Sequence, residues 1–141
     1  MAIDNIFGIA STAMNAQLVR MNTTASNLAN AGTVAESEAK AYKAKRPIFA
    51  AIMDETMKTA GANFVGGVKV DGIMDDKTVN PKVHDPSNPK ADIDGFFYNS
   101  NVNEVSQMVE MMSASRSYQN NVEVVNTAKE LLMKTLDVLK S

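Results

Sequence analysis

Both ends of the chain carry an apolar stripe at helical spacing, while the middle is rich in Gly, Pro and turn residues. Ile3, Phe7, Ala10, Met14, Leu18, Met21, Ala25 and Leu28 follow one another at steps of three and four, as do Met108, Met111, Ser115, Tyr118, Val122, Val125, Lys129, Leu132, Leu136 and Leu139. This is the spacing of one helix face. It predicts a mainly α chain: a helix within residues 1–31, an irregular, β-containing middle over 32–99, and a second helix within 100–141. The two helices are expected to pack as a coiled-coil-like pair and to form one helical domain. A chain with its strongest patterning at both termini, where domains usually fray, is built to pack with copies or partners.

The two stripes differ in strength. Asp4 and Asn5 precede the first periodic run, and Gly8 weakens it by roughly 1 kcal/mol relative to Ala. Residues Thr23 to Ala31 are short of strong helix formers, and Gly32 reads as the stop. Neighbours would have to stabilise such a helix. The second helix has no Gly or Pro from residue 101 to 140, and Asn103 or Ser100 can cap it with Glu104 in its first turn. Residues 104–139 would span roughly 50 Å. The unbroken alternation of threes and fours reads as a heptad seam, with Ser115 and Lys129 as polar entries. An ordinary amphipathic helix on a local core has the same periodicity.

In the middle, residues 33–41 read as a polar loop. Residues 42–52 form a weak strand placed at an edge by Pro47. Gly66-Gly67 introduces Val68 to Ile73, a period-two run with an Asp71-Gly72 turn signal. Asn80-Pro81, Asp85-Pro86, Asn88-Pro89 and Asp94-Gly95 mark closely spaced turns, and residues 96–98 a short strand.

Composition narrows the function classes. There is no Trp, aromatics are 6%, and the 10 Met residues suit irregular or shared surfaces better than a deep core. A net charge of −2 without a basic cluster gives no expectation of nucleic-acid or direct lipid binding. The absence of Cys removes disulfides and thiol chemistry. No run of about 20 apolar residues is present. The N-terminus lacks the layout of a signal peptide, so export would use a route without a cleaved signal.

No catalytic, cofactor or metal site is expected. His84 is the sole histidine, in a Pro-rich loop, and no Gly-x-Ser-x-Gly elbow accompanies it. Asp92-Ile93-Asp94-Gly95 matches part of a calcium loop, but Lys90 and Asn101 then occupy its first and twelfth positions, where carboxylates are needed. A turn is the better reading. Gly66-Gly67 lacks the Lys-Ser/Thr of a phosphate loop.

Two segments resemble the flagellar rod, hook and hook-associated family. Leu18 to Ala31, with its Ala-Ser-Asn27-Leu-Ala-Asn30 run, is similar to that family's N-terminal signature. Met112 to Lys129, with Arg116 and Tyr118 in an Arg-x-Tyr-x-x-Asn run, is similar to its C-terminal helix. Asp85 to Gly95 resembles the linker of a small proximal rod member, and the chain length suits such a member. Thr23-Thr24 and Asn121 are departures from the family pattern.

The resemblance implies an axial structural protein with no catalytic site, whose terminal helices line an export channel, transmit torque and order on assembly. It implies as partners copies of itself, other rod proteins, the flagellar type III export apparatus and the basal-body base (MS ring or hook–basal-body adaptor protein). The location would be the basal-body rod, crossing the periplasm. The expected assembly interface is Ile3, Phe7, Met14, Leu18, Met21, Asn27, Leu28 and Asn30 on the first helix. On the second it is Met108, Met112, Arg116, Tyr118, Val122, Val125, Leu132, Leu136 and Leu139. Asn27 and Asn30 could instead be a solvated helix end, and Arg116 and Tyr118 ordinary surface residues. The competing readings are another rod protein of the same family, a non-flagellar coiled-coil adaptor or secretion chaperone, and a small enzyme. The adaptor would leave the Ala-Ser-Asn-Leu-Ala-Asn run unexplained, and the enzyme lacks an acid–base or metal constellation.

Overall fold

The computed structural model describes residues 2–52 and 66–140. Within them the order is α1 (Ala2–Ala29), β1 (Val34–Ala35), β2 (Lys45–Ala51), β3 (Val68–Asp75), β4 (Lys82–His84), β5 (Phe96–Asn99) and α2 (Glu104–Lys140). The fold is two terminal helices packed together with a small β-containing middle, as the periodicity predicts. Residues 55–65, for which the sequence pattern gives no definite element, lie outside the described residues.

The helix ends have local causes. Asn103 Oδ1 accepts from Ser106 N at 3.0 Å, making Asn103 the N-cap of α2. The 37 residues of that helix extend about 55 Å. α1 stops three residues before Gly32. Its last turn tightens, with Ala31 N donating to Leu28 O, while the Asn30 amide donates back to Ser26 O at 2.8 Å. Gly32 has no left-handed φ, so the stop is made by Asn30 and not by glycine.

The chain forms two compact units. The first comprises Met1–Val19, Ile48–Gly72 and Ser113–Ser141. Among the described residues its buried apolar side chains are Ala10, Ala16, Ala114 and Ala128. Side chains this small let helix backbones approach closely. The start of β3 docks on α1 here: Thr12 Oγ1 accepts from Val68 N at 3.2 Å and donates to Ile9 O at 2.8 Å. Gly67, with a φ of 129°, leaves the room for this contact, since a Cβ there would lie 2.7 Å from Thr12 Oγ1.

The second unit comprises Arg20–Pro47 and Ile73–Met112. It holds an antiparallel sheet in the order β1-β5-β4, with Val34 opposite Asn99 and Val83 opposite Phe97. Phe97, on the central strand, is its one large buried apolar residue among those described. Sequence reading missed β1 and β4, which are two and three residues long.

β2 pairs with β3 in a two-stranded sheet, so Pro47 sits on an edge as expected. The Asp71-Gly72 turn is not formed. β3 continues through it to Asp75, and the left-handed glycines are Gly66, Gly67 and Gly95 instead. Over residues 85–95 the expected turns are present. Asp85, Asn88 and Asp92 each accept, through a side-chain oxygen, the backbone N–H two residues on.

Candidate assembly interface

The covered face of α2 is a heptad seam that keeps every second position of the sequence reading and moves the others back by one residue. Gln107, Met111, Ala114, Tyr118, Asn121, Val125, Ala128 and Leu132 are buried or half-buried, at alternating steps of four and three. The expected stripe shares Met111, Tyr118, Val125 and Leu132. Of its other members, Met108, Val122, Lys129, Leu136 and Leu139 are exposed, and Ser115 is half-buried. Ala114 and Ala128 displace them because close helix approach selects for size, and Gln107 is buried because it finds a hydrogen-bond partner.

α1 behaves similarly. Ala10, Ala16, Thr23, Thr24 and Asn27 are buried, and Phe7, Met14, Met21, Leu28 and Asn30 are half-buried. Leu18 is 41% exposed. The side chain of Ile3 lies outside the described part.

The Asn27 side chain makes four hydrogen bonds within the second unit. It is 1% exposed. Its amide donates to Lys45 O at 2.9 Å and to Gln107 Oε1 at 2.9 Å. Its carbonyl accepts from Lys45 N at 2.8 Å and from Tyr42 Oη at 3.0 Å. Two donors and two acceptor sites are the full capacity of an Asn side chain. The side chain thus holds the end of α1 to the start of β2 and the first turn of α2. Asn27 is thus not a solvated helix end, and its four hydrogen bonds all lie inside the chain.

Two further asparagines extend this arrangement. Asn101 Oδ1 accepts from Ala44 N, and its amide donates to Thr78 O at 2.8 Å. The Asn80 amide donates to Tyr42 O and Asn99 O at 2.9 and 2.8 Å. Nothing in the sequence marked either residue beyond a turn signal at Asn80-Pro81, because their partners are backbone groups of distant segments.

Asp76 closes the set. Its N–H donates to Ala44 O, Arg46 Nη2 approaches Oδ2 at 2.6 Å, and Thr78 N and Oγ1 both donate to Oδ1. The Thr78 hydroxyl and N–H, followed by Arg46, lower the carboxyl pKa to about 2. Burial, with the Asp75 charge, raises that of Tyr42.

Much apolar surface remains uncovered. Val105, Met108, Val109 and Met112 are each more than half exposed, and further along α2 so are Leu131, Met133, Val138 and Leu139. Leu136 and Val122, from the expected interface, are 43% and 37% exposed, and Arg116 is exposed. In the first unit an apolar groove of about 440 Å³ runs between Ile6 of α1 and Val124, Thr127, Ala128 and Leu131 of α2, with Asn120 and Glu123 at its rim. Patches of this kind mark interaction surfaces.

Among the described residues no group of three His, Asp or Glu side chains could hold a metal ion, and no helix is long and apolar enough to cross a membrane. His84 is exposed on β4, its ring edge-on to Phe96 with centroids 4.7 Å apart.

Comparison with known proteins agrees with this architecture. Residues 7–34 match the flagella basal body rod protein family, and residues 93–138 match the flagellar basal body rod FlgEFG protein C-terminal family. The flagellar basal-body rod protein FlgC of Salmonella typhimurium is 43% identical over 136 residues, covering 96% of this chain and 97% of its own. That of Escherichia coli O157:H7 is 44% identical over the same span, with the same coverage. That of Buchnera aphidicola subsp. Acyrthosiphon pisum is 41% identical over 140 residues, 98% of each chain. With relatives this similar along almost its whole length, the chain belongs to the flagellar basal-body rod protein family.

Proposed function

We propose that this protein is a structural subunit of the proximal rod of the bacterial flagellar basal body, assembling through its two terminal helices and carrying no catalytic site. One observation carries the reading: many large apolar side chains of the two long helices, among them Val105, Met108, Met112, Leu131 and Leu139, stay exposed. An enzyme or a self-contained domain would cover those residues; a subunit leaves them for its neighbours. Its relatives are named as flagellar basal-body rod proteins.

The neighbours in this account are copies of the chain and other rod proteins. Export through the flagellar type III apparatus and contact with the basal-body base follow from the same reading. So does ordering on assembly. Asn27 anchors the last turns of α1, which leaves the stretch before it, with Gly8 and an alanine seam, as the part whose folding is coupled to docking.

The test is genetic and structural. Deleting the gene should abolish motility and leave basal bodies without a complete rod, and the tagged protein should co-purify with rods in fixed proportion. Normal motility after deletion would overturn the proposal. Hydrogen exchange on the monomer should find residues 5–19 weakly protected and the Asn27 region protected. Firm protection throughout residues 5–19 in a monodisperse monomer would refute assembly-coupled ordering.

A further inference from the structure

Oxidation chemistry on this chain falls to methionine. There is no Cys and no Trp, and the 10 Met residues carry all of its sulfur. A peroxide converts a Met thioether to the sulfoxide, and exposure decides which residues react first. Among the described residues Met74, Met108, Met112 and Met133 are exposed by 49, 54, 56 and 53%, whereas Met14, Met21 and Met111 are half-buried. Two of the exposed four stand together. Met108 and Met112 lie four residues apart on one face of α2, alongside Val105 and Val109, which are themselves 72 and 56% exposed. Met133 instead shares a hollow with Glu123, Lys129, Glu130 and Lys134, where the surroundings are already charged. Met74 stands next to Asp75 at the end of β3.

Resting on the assembly role proposed above, we infer that Met108 and Met112 form a peroxide-sensitive modification site of the unassembled subunit, and that their oxidation blocks assembly without unfolding the chain. In each step the peroxide O–O bond breaks, one oxygen bonds to the thioether sulfur and the other leaves as water. The sulfur gives up two electrons and the peroxide takes them. The sulfoxide is a polar hydrogen-bond acceptor where an apolar group stood. Both side chains are more than half exposed, so in the free chain the new oxygens face solvent and the fold is little affected. Where the same patch is buried against a neighbouring subunit, those oxygens lose their water, and a buried acceptor without a donor is costly. The block is reversible. A dithiol reductase returns the sulfoxide to the thioether, releasing the oxygen as water while its two thiols become a disulfide.

Two measurements test this. First, the purified full chain is treated with graded hydrogen peroxide, and sulfoxide at each methionine is read by peptide mass spectrometry. Met111 is the internal control, adjacent in sequence to Met112 but half-buried. Met108 and Met112 should oxidise about fivefold or more faster than Met111, and the product should unfold within about 2 °C of the untreated chain. Equal rates at Met111 and Met112, or a chain unfolded by the first two oxidations, would overturn the site. Second, cells carry as their only copy either Met108→Gln with Met112→Gln, whose amides imitate the sulfoxide, or Met108→Leu with Met112→Leu, which stays apolar and cannot be oxidised. The Leu pair should be motile. The Gln pair should be non-motile, exported and missing from isolated rods, while Met133→Gln stays motile. A motile Gln pair, or a Leu pair or Met133→Gln as defective as the Gln pair, would overturn the block while leaving the rod assignment standing. Absence of the wild-type chain from rods would instead overturn the rod assignment.

Discussion

Asn27 and Gln107 are 80 positions apart in sequence, yet their side-chain amides meet at 2.9 Å in a buried contact. The bond pins the end of α1 to the first turn of α2. Because Asn27 also holds both backbone polar groups of Lys45, the helix pair and the entry to β2 are set by one residue. A buried polar pair of this kind specifies register more than it adds stability.

Replacing Asn27 by Ala therefore leaves the Lys45 N–H and C=O, Tyr42 and Gln107 without their partner. At about 1–3 kcal/mol per stranded buried group, partly relieved by water, a loss of about 3 kcal/mol is expected. Urea unfolding of the monomer measures it. The double variant Asn27→Leu, Gln107→Leu should lose less than the sum of the two single changes, since each removes the same bond.

Gly95 adopts a φ of 76°, and a Cβ there would come within 3.0 Å of Pro86 Cγ and 3.2 Å of His84 Nε2. Gly95→Ala is expected to cost about 2 kcal/mol, from the left-handed backbone and the crowding together. Gly32→Ala meets nothing within 4 Å and needs no unusual φ, so it should be neutral or slightly stabilising. Thermal unfolding of the two variants side by side gives the contrast.

The Asp76 carboxyl has its pKa lowered from 3.8 to about 2 in the fold. A lowered carboxyl pKa contributes stability that is present above about pH 4 and is lost as pH falls through about 2. Urea midpoints should therefore fall between pH 4 and 2, and Asp76→Asn should flatten that part of the profile. Thr78→Val, which removes the hydroxyl donor, should move the loss to higher pH.

The helices and their spans were legible because three–four spacing and the absence of breakers are local signals. Which face is covered was legible only in part: Met111, Tyr118, Val125 and Leu132 were read correctly and the positions between them were not. Hydropathy gives weight to Met108 and Val122, while the seam uses Ala114 and Ala128, whose value lies in being small, and Gln107, whose value lies in a partner at Asn27. Short β1 and β4 were invisible because their pairing depends on Phe96–Asn99, distant in sequence. Asp71-Gly72 carried a local turn preference that strand pairing overrode. Asn80 and Asn101 bond to backbone groups, which carry no sequence signature. The assembly role was legible through the two terminal signatures, but the division of labour inside them was not: Asn27 works within the chain, whereas Leu136 and Leu139 stay exposed.

Leu136→Asp follows from that division. The side chain is 43% exposed, so the change should leave monomer stability within about 0.5 kcal/mol. It should nonetheless abolish rod incorporation and motility while export continues. Export is read as secreted protein in the culture medium, and incorporation as the protein content of isolated rods. Full motility of this variant would remove Leu136 from the interface.

The central claim is that the exposed apolar faces of α1 and α2 are subunit contacts in the flagellar rod. An electron cryomicroscopy map of the intact basal body tests it most directly. The account predicts density for this chain in the proximal rod, with Val105, Met108, Met112 and Leu136 buried against neighbouring subunits. A rod in which this chain is absent, or in which that face of α2 is open to solvent, would contradict it.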